Sequence, residues 1–367
     1  MNKFPALSPR LWHGMRLGDY LGLLAKNRFR VHPMRWPMAT LLLPVTAINS
    51  ILSGMQELRY GRRIRETQIV DPPLFVIGHW RTGTTHLHRL LACDDRFAFP
   101  TLFECATANH FVLTSPLLPR LVKHLLPKKR QMDNMGWGAD FPGEDELALI
   151  AMGAPSLYYR LAFPNRSAPH LEWLGMEDVA DAELQRFASD YLRFLKAITY
   201  RKPKRLLLKS PTHTGRVELL AKLLPGSRFV HITRNPFEIF PSMQRTWMSF
   251  DASQGFQRPH GRDLDEYIFE ALTKMYAGFE HQRRQIDPAH LCDVRYEELV
   301  RDPVGQIQTI YEQLDLPDFE YTRPALEEYL AAQQDYQPGQ HALDPRIKAR
   351  IASRWSTYLK TYRYATA

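Results

Sequence analysis

The sequence predicts an α/β fold with a central parallel sheet flanked by helices and preceded by an N-terminal helical extension. A short apolar segment at residues 74–77 runs into a glycine-bracketed turn and a helix, as a buried strand of such a sheet does. Apolar strands and amphipathic helices then alternate over residues 181–314, the pattern of parallel strands joined by right-handed crossovers. The chain has 367 residues, 44% of them hydrophobic, which is enough for a large core.

The extension is predicted to cover residues 1–70, and the main domain residues 71–367. The most apolar part, residues 38–52, is shorter than the ~20 residues that span a bilayer. It carries an apolar stripe at helical spacing, flanked by arginines: Leu41, Val45, Ile48, Leu52 and Met55. Two interpretations stay open. Residues 38–65 contact a membrane surface or cover an apolar channel, or they form a helix that packs on the domain or on a second subunit of a homodimer.

A phosphate-binding turn is predicted directly after the first strand. Gly78 and Gly83 bracket this turn, and the leucines that follow fall at helical spacing. Thr84 and Thr85 therefore lie at a helix N-terminus, where free backbone N–H groups and the positive dipole end favour an anion. The sheet is thus expected to be P-loop-like.

The turn departs from a nucleotide kinase loop at its most important position. Its glycines have the spacing of G-x-x-x-x-G-K-[ST], but Thr84 replaces the lysine and Arg81 is the strong cation inside the loop. A kinase also needs a carboxylate for Mg²⁺, usually at a strand end, whereas the strand at 205–208 is followed by Lys209. A cationic turn suits a nucleotide whose transferred group carries less charge than a γ-phosphate, such as a sulfuryl group. A P-loop-type nucleotide phosphotransferase remains the alternative.

Four segments then carry a family resemblance. They are RTGTT at 81–85, LLLKSPTH at 206–213, RFVHITRNPFEIFPSMQ at 228–244 and VRYEELVRDP at 294–303. In this order they resemble the motifs of sulfotransferases that use 3′-phosphoadenosine-5′-phosphosulfate (PAPS), and the branch they resemble most is the broad bacterial and carbohydrate-type one.

The resemblance implies a metal-independent, in-line transfer in which positive side chains replace Mg²⁺ and adenosine 3′,5′-bisphosphate is the product. Lys209 would approach the sulfuryl group and Tyr296 the adenine. The remaining donor-binding residues implied are Arg81, Thr82, Gly83, Thr84 and Thr85 for the 5′-phosphosulfate, and Arg234 and Ser242 for the 3′-phosphate.

The general base stays open among several residues. Glu104 follows a short strand predicted at residues 97–102, and in several branches of the resembled family a Glu at this distance is the base. Glu144 and Glu146 lie at the start of a helix, in a P-x-E-[ED]-like element. The alternative for both is a purely electrostatic role, because carboxylates at a helix N-terminus interact favourably with the helix dipole. His213 lies close to the position of the catalytic His in the cytosolic branch.

Two later segments are candidates for closing the site. Residues 247–262 are rich in Ser, Gly and aromatic residues and predict either a mobile loop or a plain connector. Residues 337–341 fall where the resembled family returns a loop to the nucleotide, but they lack the Arg-Lys-Gly of the cytosolic branch.

Composition narrows the partners and the compartment. The formal charge of +9 suits anionic ligands, and no arginine-rich run with interleaved aromatic residues indicates nucleic acid. Three irregularly spaced cysteines predict neither a disulfide framework nor a zinc site. Without features of a secretory signal at the N-terminus, we expect a cytoplasmic enzyme, peripheral on the inner membrane face if the extension binds lipid. The expected acceptor is a small molecule with a hydroxyl, less readily an amine, and either lipid-like or a carbohydrate.

Overall fold

The structure, a computed structural model, describes residues 10–115, 138–332 and 343–365. Its centre is a parallel sheet of five strands in the order β2-β3-β1-β4-β5. The strands are β1 Leu74–Ile77, β2 Phe97–Ala98, β3 Arg205–Lys209, β4 Arg228–Thr233 and β5 Leu291–Arg295. The predicted α/β fold with a helix-flanked parallel sheet is confirmed.

Strand β1 lies in the middle because both of its faces are apolar. Phe75 and Ile77 belong to the hydrophobic cluster on one side of the sheet, and Leu74 and Val76 to the cluster on the other. Such two-sided burial is what helices on both faces of a parallel sheet require. Val76 pairs with Lys209, so the ends of β1 and β3 coincide at the carboxyl edge of the sheet.

Helices cover the sheet and form the N-terminal segment. The α-helices of the described residues are α1 Leu17–Lys26, α2 Trp36–Glu66, α3 Thr84–Leu91, α4 Leu102–Ala106, α5 Phe111–Thr114, α6 Asp145–Ala151, α7 Asp181–Arg201, α8 Val217–Leu223, α9 Pro236–Gln254, α10 Leu264–Gln282, α11 Tyr296–Arg301, α12 Pro303–Gln313, α13 Phe319–Ala331, α14 Pro345–Arg354 and α15 Ser356–Thr361.

Two local predictions need correction. The strand predicted at 97–102 is only two residues long, and the chain enters α4 at Leu102. The loop predicted at 247–262 is wrong up to Gln254, because α9 continues to that residue. Trp247 and Asp251 are buried on its inner face, so tertiary packing outweighs the loop-like composition. Residues 337–341 lie outside the described part of the chain.

The N-terminal segment and the sheet share one hydrophobic core. Trp12 and Tyr20 belong to the same cluster of buried residues as Phe75 in β1. The indole N–H of Trp12 donates to the carbonyl of Gln254 at 2.7 Å, and the hydroxyl of Tyr20 donates to the carbonyl of Ala39 at 2.8 Å. The division into an extension and a main domain at residue 70 stays a prediction.

Helix α2 packs on the domain with the face opposite to the predicted apolar stripe. Polar residues at a three-four spacing point inward and are buried, namely Thr46, Asn49, Ser53 and Gln56. Leu41, Ile48 and Met55 of the stripe are exposed instead. The helix therefore packs on the domain, as one of the two interpretations expected, but through its polar face and not through the apolar stripe.

Candidate active site

The turn after β1 is held in a conformation that demands glycine. Gly78 has φ +145° and Gly83 has φ +105°, both in the region that favours glycine. A Cβ atom on Gly83 would lie 2.4 Å from Cδ2 of Tyr296, and one on Gly78 would lie 2.4 Å from the carbonyl oxygen of Ile232. The turn is thus packed directly against α11 and the end of β4.

Arginines from two motifs meet beside this turn. The Nε of Arg81 donates to Oγ of Ser242 at 2.8 Å, and Nη1 of Arg234 donates to the carbonyl of Arg81 at 3.2 Å. The Arg234 guanidinium also lies 4.3 Å from the ring centroid of Tyr296. Residues that are 161 positions apart in sequence therefore form one cationic cluster at the carboxyl edge of the sheet.

The first turn of α3 faces this cluster. Its first backbone N–H groups, starting at Thr84 and Thr85, have no acceptor within the helix, which makes them available to an anion. Thr82 is arranged differently, because its backbone N–H and its hydroxyl both donate to the carbonyl of His79, at 3.2 and 2.7 Å. Thr82 therefore shapes the turn, and phosphate binding by its N–H stays a prediction.

A hydrogen-bonded chain connects the turn to Lys209. Trp80, inside the turn, donates its indole N–H to the hydroxyl of Tyr158 at 2.7 Å, and this hydroxyl donates to Oε1 of Glu144 at 2.5 Å. Oε2 of Glu144 accepts from Nζ of Lys209 at 3.0 Å. Burial and the neighbouring Glu144 carboxylate raise the pKa of Tyr158 well above its ordinary value, so this phenol remains a donor. Sequence reasoning missed Trp80 and Tyr158.

The next acidic residue, Asp145, supports Lys209 from behind. Its Oδ1 accepts the backbone N–H of Lys209 at 3.0 Å, and its Oδ2 accepts from Tyr191 at 2.6 Å and lies 2.7 Å from Nε2 of His213. Burial acts to raise the pKa of Asp145, but the charge of His213 and both hydrogen bonds hold it below its usual range. Sequence reasoning gave this residue no role.

His213 and Glu146 are both fully buried. His213 is engaged by Asp145, and Oε2 of Glu146 accepts from Thr212 at 2.7 Å and from Arg216 at 2.8 Å. These contacts fix the segment after β3 against α6. A role as general base stays a prediction for both residues.

Glu104 is held by a different set of residues. Its Oε2 accepts the backbone N–H of Thr101 at 2.8 Å, which caps α4, and the Nζ of Lys202 at 2.7 Å. Its Oε1 lies 3.5 Å from Nη1 of Arg201. Both cations precede β3, whereas Lys209 ends it. The structure thus brings Glu144, rather than Glu104, into contact with Lys209.

Further arginines lie near the turn, while Arg234 itself is also paired with Glu238, its Nη2 lying 2.7 Å from Oε2. Burial and the charge of Arg81 lower the pKa of Arg245, one turn further along α9 than Ser242. Burial and the charge of Arg89 lower the pKa of His86 to about 4, so this histidine is neutral near pH 7. Within residues 10–115, 138–332 and 343–365, no three His, Cys, Asp or Glu residues are grouped as metal ligands would be.

Comparison with known proteins places these features in a family. The model of the sulfotransferase family matches residues 72–321 of the chain. A curated relative from Mycobacterium bovis, omega-hydroxy-beta-dihydromenaquinone-9 sulfotransferase Stf3, is 38% identical over 354 residues, covering 96% of this chain and 91% of its own length. The protein of the same name from Mycobacterium tuberculosis matches equally well.

Solved structures show the same fold at low identity. The sulfotransferase STF9 from Mycobacterium avium superposes with a TM-score of 0.70 at 21% identity, over 90% of this chain and 86% of that one. The sulfotransferase STF1 from Mycobacterium tuberculosis H37Rv superposes with a TM-score of 0.64 at 19% identity, over 93% and 92% of the two chains.

Proposed function

The chain belongs to the sulfotransferase family, and we propose that it moves a sulfuryl group from PAPS to the hydroxyl of a lipid-like small molecule. One observation carries the choice of donor. Arg81 of the turn contacts both Ser242 and Arg234, so the groups expected at the two anionic ends of PAPS belong to one continuous surface.

The residues at this surface fit PAPS by charge and by hydrogen-bonding capacity. The first N–H groups of α3 and Arg81 would hold the 5′-phosphosulfate, and Arg234 with Ser242 would hold the 3′-phosphate, Arg through its planar fork. Tyr296, packed on Gly83, lies where it can contact the adenine. Bound PAPS supplies an activated sulfuryl group on a phosphate that can leave. The positive side chains around the turn are suited to the role that Mg²⁺ has in kinases.

We assign the general base to Glu144. In-line transfer needs a group that removes the acceptor's proton close to the cation that faces the sulfuryl oxygens. Glu144 is bonded to Lys209 and, unlike Asp145 and His213, keeps part of its side chain exposed, with 17% against 0% for both. Tyr158 donates to its other oxygen and so orients the carboxylate. Lys209, released from Glu144, is then available to the developing negative charge.

The relative's substrate suggests the class of acceptor. Its name describes a menaquinone derivative with a hydroxyl at the far end of a long apolar chain. The match covers nearly the whole chain, including the segment before residue 72. We therefore propose a hydroxylated prenyl quinone or a similar lipid alcohol, ahead of a carbohydrate or an amine.

The donor and the acceptor can be tested together. Purified enzyme with an ω-hydroxylated prenyl quinone in detergent should form the sulfate ester from PAPS in the presence of EDTA. The same quinone without the hydroxyl is the matched control and should stay unmodified. Phosphorylation of the hydroxyl from ATP and Mg²⁺, without transfer from PAPS, would instead establish the kinase alternative.

A cytoplasmic location, at the inner face of the membrane, follows from a membrane-resident acceptor and remains a proposal. Separating cytosol from washed membranes and probing both fractions for the protein tests it. A homodimer likewise stays a prediction.

A further inference from the structure

Helix α2 presents a continuous apolar face to solvent. Five large apolar side chains on it are each between 50% and 91% exposed: Leu41, Ile48, Ile51, Met55 and Leu58. Their spacing places them on one side of the helix, over a length of about 26 Å at the usual rise per residue. Five clustered apolar side chains on one face differ from the scattered single ones that ordinary protein surfaces carry.

The inward face of α2 is polar and cannot exchange places with the outer one. Asn49 donates to the carbonyls of His13 at 2.6 Å and Met15 at 3.0 Å, and its side-chain oxygen lies 3.2 Å from Nε2 of His110. Gln56 accepts the backbone N–H of Leu113 at 3.1 Å. If the helix rotated to turn its apolar residues inward, these buried polar groups would lose their hydrogen-bond partners, and the folded protein would be destabilised.

The apolar face is bordered by positive charge. Residues 26–66, which include all of α2, contain eight Lys and Arg and two Glu, a local excess of six positive charges. In the segment that precedes α2, Arg28 and Arg30 are exposed on either side of the exposed Phe29, and the exposed Met34 and Trp36 flank Arg35. Apolar and aromatic side chains mixed with arginines are typical of helices that lie in a lipid headgroup region.

We propose that the outer face of α2, with the adjoining residues 28–36, docks onto an anionic lipid bilayer with the helix lying in the membrane plane. Positive charge around the face complements anionic lipids, whereas two copies of the same face would repel each other. The segment Pro33–Glu66 is long enough to cross a membrane, and its most apolar stretch of 18 residues has a mean hydropathy of 1.5. Its buried residues, however, run from Ala39 to Ile64, so one side is attached to the domain along most of its length.

Docking in this orientation would also bring the enzyme to its acceptor. This consequence, unlike the docking itself, rests on the proposed function. An acceptor with a long apolar chain is dissolved in the bilayer and reaches the enzyme from there. Bilayer binding itself is independent of that step and is measured without PAPS or acceptor.

Vesicle co-sedimentation tests the docking surface. The full chain should bind phosphatidylglycerol-containing vesicles, and bind phosphatidylcholine vesicles more weakly, with the difference shrinking as salt is raised. The triple variant Ile48→Gln, Ile51→Gln, Leu58→Gln should bind more than about tenfold more weakly, because three apolar side chains no longer enter the lipid. Arg28→Gln with Arg30→Gln should weaken binding only to the anionic vesicles.

A matched triple variant controls for lost hydrophobicity in general. Val70→Gln, Met248→Gln and Val300→Gln replace apolar side chains that are also about half exposed but lie off the face. This variant should bind vesicles like the unaltered chain, and unchanged thermal melting would show that all variants are folded.

Two results would overturn the proposal. One is absence of vesicle binding by the unaltered chain at low salt. The other is a dimer, seen by sedimentation velocity without lipid, that the face variant alone dissociates, since the face would then be covered by a second copy. If vesicle binding holds but the detergent assay gives no sulfate ester, the proposed function fails while the docking surface stands.

Discussion

Two successive carboxylates hold Lys209, one at each end of the residue. Asp145 accepts the backbone N–H and is fully buried, whereas Glu144 accepts from Nζ and retains some exposure. Only the second arrangement leaves an oxygen that an incoming hydroxyl can approach. We therefore expect that the adjacent residues Glu144 and Asp145 cannot replace each other.

The assignment of Glu144 predicts a selective loss of turnover. Glu144→Gln preserves the size of the side chain and one of its two acceptor oxygens but removes the carboxylate that would take the proton, so kcat should fall by about 10²-fold or more. Binding of adenosine 3′,5′-bisphosphate, measured by calorimetry, should change less than about threefold, since the residues proposed to contact the nucleotide do not include Glu144. Glu104→Gln serves as the control. It should lower the melting temperature, because it breaks the ion pairs with Lys202 and Arg201, and it should leave kcat close to that of the unaltered enzyme. A larger loss of kcat in Glu104→Gln than in Glu144→Gln would restore Glu104 as the base.

Sequence patterns identified the cationic residues but not the neighbours that orient them. Lys209 and Arg234 stand out because they lie at the carboxyl ends of strands, and Arg81 because it is the cation inside a known loop pattern. Trp80 and Tyr158 do not, because their bond spans 78 positions and neither type is rare in a hydrophobic core. The one available signal was a bulky indole inside a turn that otherwise favours small residues.

The turn after β1, as an element, depends on the absence of a side chain at Gly83. Gly83→Ala combines a disfavoured φ of +105° with a contact 2.4 Å from the Tyr296 ring. We expect more than about 2 kcal/mol of destabilisation in urea unfolding and at least about tenfold weaker binding of PAPS. Gly261→Ala is the control, since φ is +67° there but no atom lies within 4 Å of the new Cβ. Nucleotide binding should be normal in Gly261→Ala, and equal effects of both changes would contradict the role given to the Tyr296 contact.

The polar inward face of α2 leads us to expect that a hydrophobic substitution there lowers the stability of the protein. Asn49→Leu should destabilise the protein by about 2–3 kcal/mol, because the carbonyls of His13 and Met15 lose their donors in a buried position. The neighbouring change Ile48→Asn on the exposed face should alter stability by less than about 0.5 kcal/mol. Urea unfolding of both variants measures the difference. If Asn49→Leu is the more stable of the two, the inward polar face has no structural role.

The orientation of α2 was beyond sequence reasoning for a definite reason. Helical periodicity shows that two faces differ, and burial is then assigned to the apolar one. Here the surface beneath the helix consists of backbone groups of residues 13–15 and 109–113, which need polar partners. Periodicity contains no information about such distant acceptors. The same limit made residues 247–254 look like a loop although they are helical and partly buried.

At the scale of the whole molecule, the sheet was predictable because each strand carries its own signal. Continuous apolar runs bounded by turns mark β1, β3 and β4, and the helices between them indicate parallel strands, although not the order in which the strands pair. The length of β2 was not predictable, since its two residues pair only with Arg205 and Leu206 of β3. Strand patterns also carry no information about the acceptor molecule, because they describe the sheet and not the surface that would bind the acceptor.

Buried neutral histidines make global stability depend on pH. Burial lowers the pKa of His79 and His88 to about 3, and burial lowers that of His13, His86 and His110 to about 4. The unfolded chain therefore binds more protons than the folded one below the ordinary His pKa of about 6.5, so stability falls as pH decreases from there toward about 4. Urea unfolding at a series of pH values should show this decline. His86→Gln should reduce its slope by up to about 1.4 kcal/mol per pH unit, and a stability that stays constant down to about pH 5 would refute the assignment.

The shared hydrophobic core has a practical consequence for anyone preparing this enzyme. Trimming it to residues 72–321, the stretch recognised by the family model, would strip away Trp12 and Tyr20 and uncover the interior surface they fill. Such a shortened version is expected to aggregate rather than yield a minimal catalytic unit. Improved handling in aqueous buffer should instead come from polar replacements on the outer side of the long helix, which leave the interior intact.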